Sequence, residues 1–391
     1  QGPGQELYLK AATAWMAEAA ATPARLIEGQ AEFWGRSLRN WAEAQESFAK
    51  ALTSAPEEPG PGPAPAPAPA SKAAPGPDDR RFRNPLWDTH PWFSFVKRQY
   101  LINAEAVTRA AEATPGLSER ERRKLDYFTR QVVDMLAPTN FLLTNPDALE
   151  RAMATDGQSL VDGLQNLVRD LEAGSGELVV RLADDEAFRV GDNLATTPGE
   201  VVFRNRLFEL IQYRPATETV HEVPLLIVPP WINKFYILDL TARNSLIRWI
   251  VEQGFTVFVV SWVNPDASYR DVSMTTYVED GFLAAMAEVK AICGTGTLNV
   301  VGYCIAGTTL AMTLGVMERR GDASVGSATF FTTLTDFSDQ GEMAVFLDDD
   351  FVDGIEAEAR ATGMLDAFYM ARTFSYLRSN DLIYGPAIRS Y

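Results

Sequence analysis

The spacing of the hydrophobic residues changes near residue 175. From 81 to 175 apolar side chains recur at the helical period, as in 125–135 and 160–171, and this predicts a helical segment. Beyond 175 short apolar runs alternate with amphipathic stretches, which is typical of a parallel β-sheet with helices on both faces. We predict extended pairs at 178–190 and 201–213, strands at 224–228, 255–262, 298–303 and 324–334, and helices at 240–253, 275–292 and 308–320. Sheets of this kind bind ligands where their parallel strands end.

Residues 1–58 are rich in alanine and carry a heptad pattern of apolar side chains. The two sets of alternating seam positions are Ile27, Trp34, Trp41 and Phe48, and Ala31, Leu38, Gln45 and Leu52. This spacing predicts an amphipathic helix with one continuous seam. The seam either packs on the same protein or on a second copy, or it lies on the surface of an apolar particle.

A spacer separates these helices from the rest of the chain. Residues 59–77 contain eight prolines among nineteen positions and no large hydrophobic side chain, so they cannot form a packed core. We therefore predict four segments: amphipathic helices, a disordered Pro/Ala-rich linker, a helical domain and an α/β catalytic core, at 1–58, 59–80, 81–200 and 201–391.

Composition narrows the possible partners. The chain has 391 residues with 35 Lys and Arg against 52 Asp and Glu, a formal net charge of −17, which argues against nucleic acid as a partner. Its two cysteines, Cys293 and Cys304, exclude a disulfide framework and fit a reducing compartment. With His90 and His221 as the only histidines, we expect no metal site and no cofactor. No apolar run reaches the roughly 18 residues of a membrane-spanning helix.

Cys304 lies where the predicted strand 298–303 runs into a helix. The stretch Gly302-Tyr303-Cys304-Ile305-Ala306 resembles the nucleophile elbow of α/β-hydrolases, G-x-S-x-G, with cysteine in place of serine. The turn is so tight that the neighbouring strand and helix nearly touch the backbone of the nucleophile. Gly302 and Ala306 are therefore expected to be small. The positive end of the helix favours a thiolate, and the Ile305 N–H is expected to stabilise an oxyanion. The alternative is that Cys304 is a small buried hydrophobe, as we expect for Cys293.

The loop after the strand 224–228 is the second candidate element of the site. Two prolines, Pro229 and Pro230, fix its direction, and α/β-hydrolases take their second oxyanion N–H from the corresponding position. Trp231 and Ile232 are both candidates, and we favour Ile232. The alternative is a rigid loop that only caps the following helix.

Seven blocks of sequence resemble one known family. They lie at 228–240, 244–248, 259–266, 277–281, 302–308, 332–337 and 374–381. Together they resemble a class I polyhydroxyalkanoate synthase from about residue 85 to residue 391. The resemblance implies an α/β-hydrolase fold and an acyltransferase that polymerises (R)-3-hydroxyacyl-CoA, releases CoA and carries the chain on Cys304. It also implies a homodimeric cytoplasmic protein that acts at polyester granules and binds the growing polyester chain. Candidates for binding the CoA phosphates are Lys234, Arg243 and Arg270.

The sequence departs from this family at the general base. The family uses a histidine and an aspartate from the C-terminal part of its catalytic domain. In this sequence no histidine follows His221. His221 itself precedes the strand 224–228, so it lies at the end of that strand opposite to the active edge of the sheet. We therefore interpret the chain as a truncated fragment that carries the nucleophile and is inactive alone. Asp336 is assigned a structural role rather than a place in a triad. A cysteine-type hydrolase or thioesterase, or a non-catalytic granule-associated protein, remains as an alternative.

Overall fold

The computed structural model describes most of the chain from residue 79 onward and one helix before it. The described residues are 13, 17, 23–53, 79–174, 178, 180–184, 186–347 and 349–391. The predicted linker at 59–80 lies outside them except for its last two residues. The described chain forms two compact units, residues 1–182 with 341–351 and 370–391, and residues 183–340 with 352–369. The predicted segment boundaries at 58, 80 and 200 stay predictions.

The first unit is helical, as the period between 81 and 175 predicts. Its helices α1 to α6 are Pro23–Thr53, Leu86–Thr89, Pro91–Glu112, Glu119–Met135, Pro146–Ala154 and Gln158–Ala173. Side-chain caps set several starts: Ser118 and Glu121 form a capping box at α4, and Asn145 caps α5. Trp87 is fully buried at the centre of an aromatic cluster.

Short 3₁₀ and π-helical segments connect the helices of the first unit. The 3₁₀ segments are Arg80–Phe82, Pro138–Asn140, Leu142–Thr144 and Gly341–Phe346, and the π-helical segment Asn380–Tyr384 precedes a last helix. The helices after residue 347 are α11 Asp349–Thr362, α12 Ala367–Leu377 and α13 Gly385–Ser390.

Helix α1 packs on α3 through a polar face rather than through the predicted seam. Asn40, 5% exposed, donates from Nδ2 to the Phe95 carbonyl and to Gln99 Oε1, both at 3.2 Å. Arg36 Nη1 lies 2.6 Å from Glu105 Oε2. The seam side chains Trp34, Leu38 and Trp41 are 58%, 62% and 56% exposed. The interpretation that the seam packs on its own protein is therefore wrong for these residues, because polar and charged partners hold the other face.

The second unit contains a six-stranded, mostly parallel sheet. Its strands are β1 Gly199–Arg204, β2 Phe208–Tyr213, β3 Leu225–Val228, β6 Val257–Trp262, β7 Leu298–Tyr303 and β8 Val325–Phe331; β4 Asp239–Thr241 and β5 Asn244–Ser245 form a separate small pair. In space the six strands follow the order β1-β2-β6-β3-β7-β8. Strands β3, β6, β7 and β8 are parallel, and β1 and β2 are antiparallel additions. The predicted α/β-hydrolase fold class, with its preceding helical region, is confirmed.

Alternate residues of the central strands point to opposite faces, and both faces are covered. Leu226 and Val228 belong to one buried cluster, whereas Ile227 of the same strand belongs to the other. This is why these strands read as continuous apolar runs instead of alternating ones.

Several predicted boundaries differ from the structure. The helix predicted at 240–253 is α7 Leu246–Glu252, because 240–245 contributes to the β4–β5 pair and the Ser245 hydroxyl caps the helix. The extended pair predicted at 178–190 is wrong for the described residues, where Val190 forms only an isolated bridge with Leu194.

The helix predicted at 275–292 is present but changes its winding. It runs through α8 Met274–Thr276, a π-helical segment Tyr277–Leu283 and α9 Ala284–Cys293. Within the π segment Gly281 approaches the Trp262 ring so closely that a Cβ there would lie 3.1 Å from Trp262 Cη2. Further 3₁₀ segments lie at Phe235–Leu238 and Ala267–Asp271. Helix α10 spans Ile305–Arg320, so it begins directly after Cys304 instead of at residue 308.

Candidate active site

Cys304 occupies the junction between β7 and α10 in a strained backbone conformation. Its φ is 55° and its ψ is −125°, a combination that side-chain-bearing residues rarely adopt and that is found where surrounding structure enforces it. The Cys304 N–H donates to the Phe331 carbonyl at 2.8 Å, and its carbonyl accepts from Gly307 at 2.9 Å. The structure therefore places the thiol at a nucleophile-elbow turn, at the carboxyl edge of the sheet, half-exposed. Its catalytic role stays a prediction.

Two glycines permit this turn. A Cβ on Gly302 would lie 2.7 Å from the Gly307 Cα and 3.1 Å from its nitrogen, so strand and helix backbones nearly touch there. The close approach of strand and helix expected at Gly302 and Ala306 is made by Gly302 and Gly307, while Ala306 is fully buried beside them. The additional glycine after the broken G-x-C-x-A pattern is the residue that the turn requires.

Thr333 supports the turn from the end of β8. Its hydroxyl donates to the carbonyl of Phe331 at 3.1 Å and to that of Cys304 at 3.4 Å. A side chain on Gly307 would overlap Thr333, and the neighbouring Thr332 has a φ of 43°. Sequence reasoning missed this threonine, since its only signal was its place at the end of a predicted strand.

Backbone amides are available on both sides of the thiol. Ile305 is the first residue of α10, where an amide has no partner within its helix. In the loop after β3, the Asn233 N–H donates to the Pro230 carbonyl at 3.0 Å, whereas the described residues provide no acceptor for the amides of Trp231 and Ile232. The parallel register pairs Val228 with Gly302, so this loop and the elbow leave the sheet side by side. The oxyanion roles of Ile305 and Ile232 stay predictions.

Neighbouring side chains fix the loop after β3. Trp262 Nε1 donates to the Pro229 carbonyl at 2.7 Å. The Trp231 ring lies against Tyr277, with centroids 4.8 Å apart, and Lys234 Nζ donates to Asn264 Oδ1 at 3.1 Å. The loop amides are therefore held in place before any ligand binds.

A buried carboxylate closes the same loop. Asp239, 1% exposed, accepts from the hydroxyls of Thr197 at 2.7 Å and Ser245 at 2.6 Å. Burial, together with the nearby Asp239 charge, raises the pKa of Tyr213 above its usual value. Because Ser245 caps α7, the loop at 229–235 does not cap that helix itself.

His221 does not lie at this edge of the sheet, and His90 belongs to the other unit. The His221 N–H donates to the Gly254 carbonyl, and its ring packs on Phe255 at 4.6 Å; these contacts lie at the amino ends of β3 and β6, opposite to Cys304. His90 caps α3 in the first unit, with Nδ1 accepting from Trp92.

The remaining candidates have different surroundings. Burial raises the pKa of the Cys293 thiol, which keeps this second cysteine protonated. Hydrogen bonds from Ser338 lower the pKa of the exposed Asp336. Arg243 and Arg270, like Lys234, are exposed in the second unit, and their proposed contact with CoA phosphates stays a prediction.

Comparison with known proteins identifies the family. Residues 78–250 match the family model described as the poly-beta-hydroxybutyrate polymerase (PhaC) N-terminus. Over 317 residues the chain is 44% identical to a poly(3-hydroxyalkanoate) polymerase of Methylorubrum extorquens, covering 81% of this chain and 52% of that protein. A polymerase subunit of Rhizobium meliloti is 37% identical, covering 94% of this chain and 58% of that protein. One of Cupriavidus necator is 41% identical, covering 81% of this chain and 54% of that protein.

The chain is thus homologous to the poly(3-hydroxyalkanoate) polymerases, which confirms the predicted resemblance to that family; class I and the truncation stay predictions. It spans about half the length of these curated relatives. Among solved structures it is similar to a putative hydrolase from Agrobacterium vitis, with 16% identity, a TM-score of 0.29 and coverage of 41% of this chain and 59% of the other. It is also similar to an α/β-hydrolase from the metagenome of Lake Arreo, with 15% identity and a TM-score of 0.29. That similarity covers 44% of this chain and 59% of the other. No helix among the described residues has the length and apolar character to cross a membrane.

Proposed function

We propose that this chain supplies the nucleophilic half of a class I polyhydroxyalkanoate synthase. In this function an acyltransferase polymerises (R)-3-hydroxyacyl-CoA, releases CoA and carries the acyl group covalently on Cys304. The observation that carries the proposal is the strained cysteine at the end of β7, with the amides of Ile305 and Ile232 unoccupied among the described residues. The relatives are named as poly(3-hydroxyalkanoate) polymerases, which supports the same reaction.

The first step is attack of the Cys304 thiolate on the thioester carbonyl. A carbon–sulfur bond to Cys304 forms, and the carbonyl oxygen becomes an oxyanion that backbone N–H groups stabilise. Collapse of this intermediate breaks the carbon–sulfur bond to CoA, which leaves as a thiolate. Exchange of one thioester for another is nearly neutral in energy, so the acyl group remains activated for the next step.

The second step is attack of a chain-end hydroxyl on the acyl-cysteine. The hydroxyl oxygen forms the new ester bond, its proton passes to a general base, and the Cys304 thiolate is released. His221 packs on Phe255 at the opposite edge of the sheet, so it is not placed to accept this proton. We infer that turnover needs a base that His221 does not supply, and that the chain alone does not turn over.

The partners follow from the same proposal. The protein would act in the cytoplasm at the surface of the polyester granule, with acyl-CoA and the polyester chain as ligands, as a homodimer. The exposed seam of α1, made by Trp34, Leu38 and Trp41, is the surface that we assign to the granule or to the second copy.

Intact-mass measurement tests the nucleophile directly. Incubation with (R)-3-hydroxybutyryl-CoA is expected to add one acyl group to Cys304 and to release about one equivalent of CoA. The Cys304→Ala variant should take up no acyl group. Cys293→Ala is the matched control and should be acylated normally, because burial keeps the Cys293 thiol protonated. Acylation of Cys293 alone, or continuous release of free hydroxy acid, would contradict the proposal.

A further inference from the structure

A cavity in the first unit is lined by arginines from three separate parts of the chain. Its volume is about 630 Å³, within the usual range of small-molecule sites. Arginines line it from the segment 80–83, from α5 and from α13; they are Arg80, Arg81, Arg83, Arg151 and Arg389. No lysine lines the cavity. This concentration of positive charge stands out in a chain whose net charge is −17.

Four of the five guanidinium groups have no partner. Arg80, Arg83, Arg151 and Arg389 are exposed, and no described residue forms a hydrogen bond or ion pair with their side chains. The fifth, Arg81, is held by Asp79 and Asp134 at 2.8 and 2.9 Å. Arg109, an exposed arginine of the same unit, instead pairs with Glu105 one helical turn away.

The acidic groups around the cavity do not neutralise these arginines. Asp147 and Asp381 are the carboxylates of the lining; Asp147 accepts from Asn84 Nδ2 at 2.7 Å, and among the described residues neither carboxylate forms an ion pair with an arginine. Like charges gathered around one cavity repel each other, so an anion bound among them is favoured. Guanidinium groups are planar forks that bind phosphate through two parallel hydrogen bonds, which lysines do not provide.

We propose that this cavity binds the phosphate groups of a small phosphorylated ligand. The unpaired arginines contact the phosphate oxygens, and the remaining volume takes the body of the ligand. Two sources share this chemistry, namely the phosphorylated head group of CoA and a free nucleotide or polyphosphate. The site is independent of Cys304, so its occupancy does not require acyl transfer.

Calorimetric titration of the chain at low salt tests the proposal, with pyrophosphate, ADP, CoA and pantetheine as probes. Pyrophosphate and ADP are expected to bind, and the double variant Arg83→Gln/Arg389→Gln is expected to weaken that binding about tenfold or more, since it removes two charge-assisted contacts. Arg39→Gln/Arg319→Gln is the matched control. It removes two exposed arginines that lie outside the cavity and have no side-chain partner among the described residues, and should leave affinity within about twofold. Arg80→Gln/Arg151→Gln provides an independent second variant.

The probes also separate the two sources. If CoA binds, displaces pyrophosphate and depends on Arg83 and Arg389, while pantetheine does not bind, the head group of CoA is the ligand. If pyrophosphate and ADP bind but CoA does not displace them, a free phosphorylated ligand is assigned. Equal affinities for wild type and both cavity variants would overturn the proposal, as would failure of pyrophosphate and ADP to bind. The Cys304→Ala variant should bind all probes like the wild type, so this result does not depend on the nucleophile.

Discussion

Replacing Gly302 by alanine should push β7 and α10 apart and disturb the elbow. The added Cβ would lie 2.7 Å from the Gly307 Cα, whereas carbon atoms pack at about 3.5–4.0 Å. The obstacle is backbone and cannot rotate away, so the strand and helix must separate by about 1 Å. Overpacking of this kind costs about 1–3 kcal/mol, which corresponds to a fall in Tm of about 2–12 °C for a domain of this size. Thermal unfolding monitored by circular dichroism measures the fall.

Acylation should suffer more than stability does. Cys304 is two residues from Gly302, and its amide and carbonyl bonds to Phe331 and Gly307 fix the thiol relative to the Ile305 amide. A displacement of about 1 Å at a reacting group lowers rates by about a hundredfold. The rate of single acylation by (R)-3-hydroxybutyryl-CoA, followed by intact mass at a temperature where the variant is folded, provides the second measurement.

Gly315→Ala is the matched control for this substitution. Gly315 lies in α10, the helix that Gly302 touches, and apart from its own helix backbone and chain neighbours no described atom lies within 4 Å of the position that its Cβ would take. Alanine is therefore expected to raise stability by about 0.5–1 kcal/mol, since it replaces glycine in a helix interior. The packing argument would be refuted if Gly302→Ala unfolded at the wild-type temperature, or if both variants shifted Tm in the same direction by the same amount.

Two other predictions concern the first unit. The double variant Trp34→Ser/Trp41→Ser should lower the fraction of protein bound to polyester particles, or the fraction of dimer in sedimentation. Its Tm should change little, because both side chains are more than half exposed. Trp249→Ser, at 57% exposure in the other unit, is the control, and equal binding by both variants would contradict the role of the seam. Burial alone would raise the pKa of Asp79, but hydrogen bonds and charge from Arg81 lower it below 3.8. Its ionised form therefore stabilises the fold above the pKa of the unfolded chain, and this contribution is lost as the pH falls through the lower folded value. Asp79→Asn should be less stable than the wild type at pH 7 and should approach it in urea unfolding below about pH 4; a constant difference across pH would contradict the pairing.

The parallel sheet could be predicted because its strands are buried on both faces. A strand such as Val257–Trp262 has apolar residues at nearly every position, and this pattern differs clearly from that of the helices around it. The start of α7 could not be placed, because it depends on the Ser245 hydroxyl and on the pairing of Asp239 with that residue. Local propensity does not register these interactions between short strands.

The heptad in α1 shows a different limit. Its periodicity correctly predicts a helix, but it does not identify the face that packs on α3. The contact is made by Asn40 and Gln99 and by ion pairs such as Arg36–Glu105, which a hydrophobic pattern treats as solvent-facing. The buried face of a helix depends on the partner that it meets, and this partner is distant in sequence.

At the candidate active site the sequence located the elbow and its cysteine but not the residues that hold the turn. The order strand, Gly302, Cys304, helix is sufficient to predict an elbow, since the chemistry and the geometry are encoded within a few consecutive residues. Thr333 is 29 residues away and becomes its neighbour only because β8 lies beside β7. The same logic separates His221 from Cys304. A histidine can assist Cys304 only from a segment that the topology brings to the carboxyl edge of the sheet, and His221 precedes β3, which places it at the other edge. The chain thus carries a cysteine in a strained and supported turn. Under the proposed function its first acylation and its turnover are separable, and trapping of the acyl-enzyme is the behaviour that would distinguish it from a hydrolase.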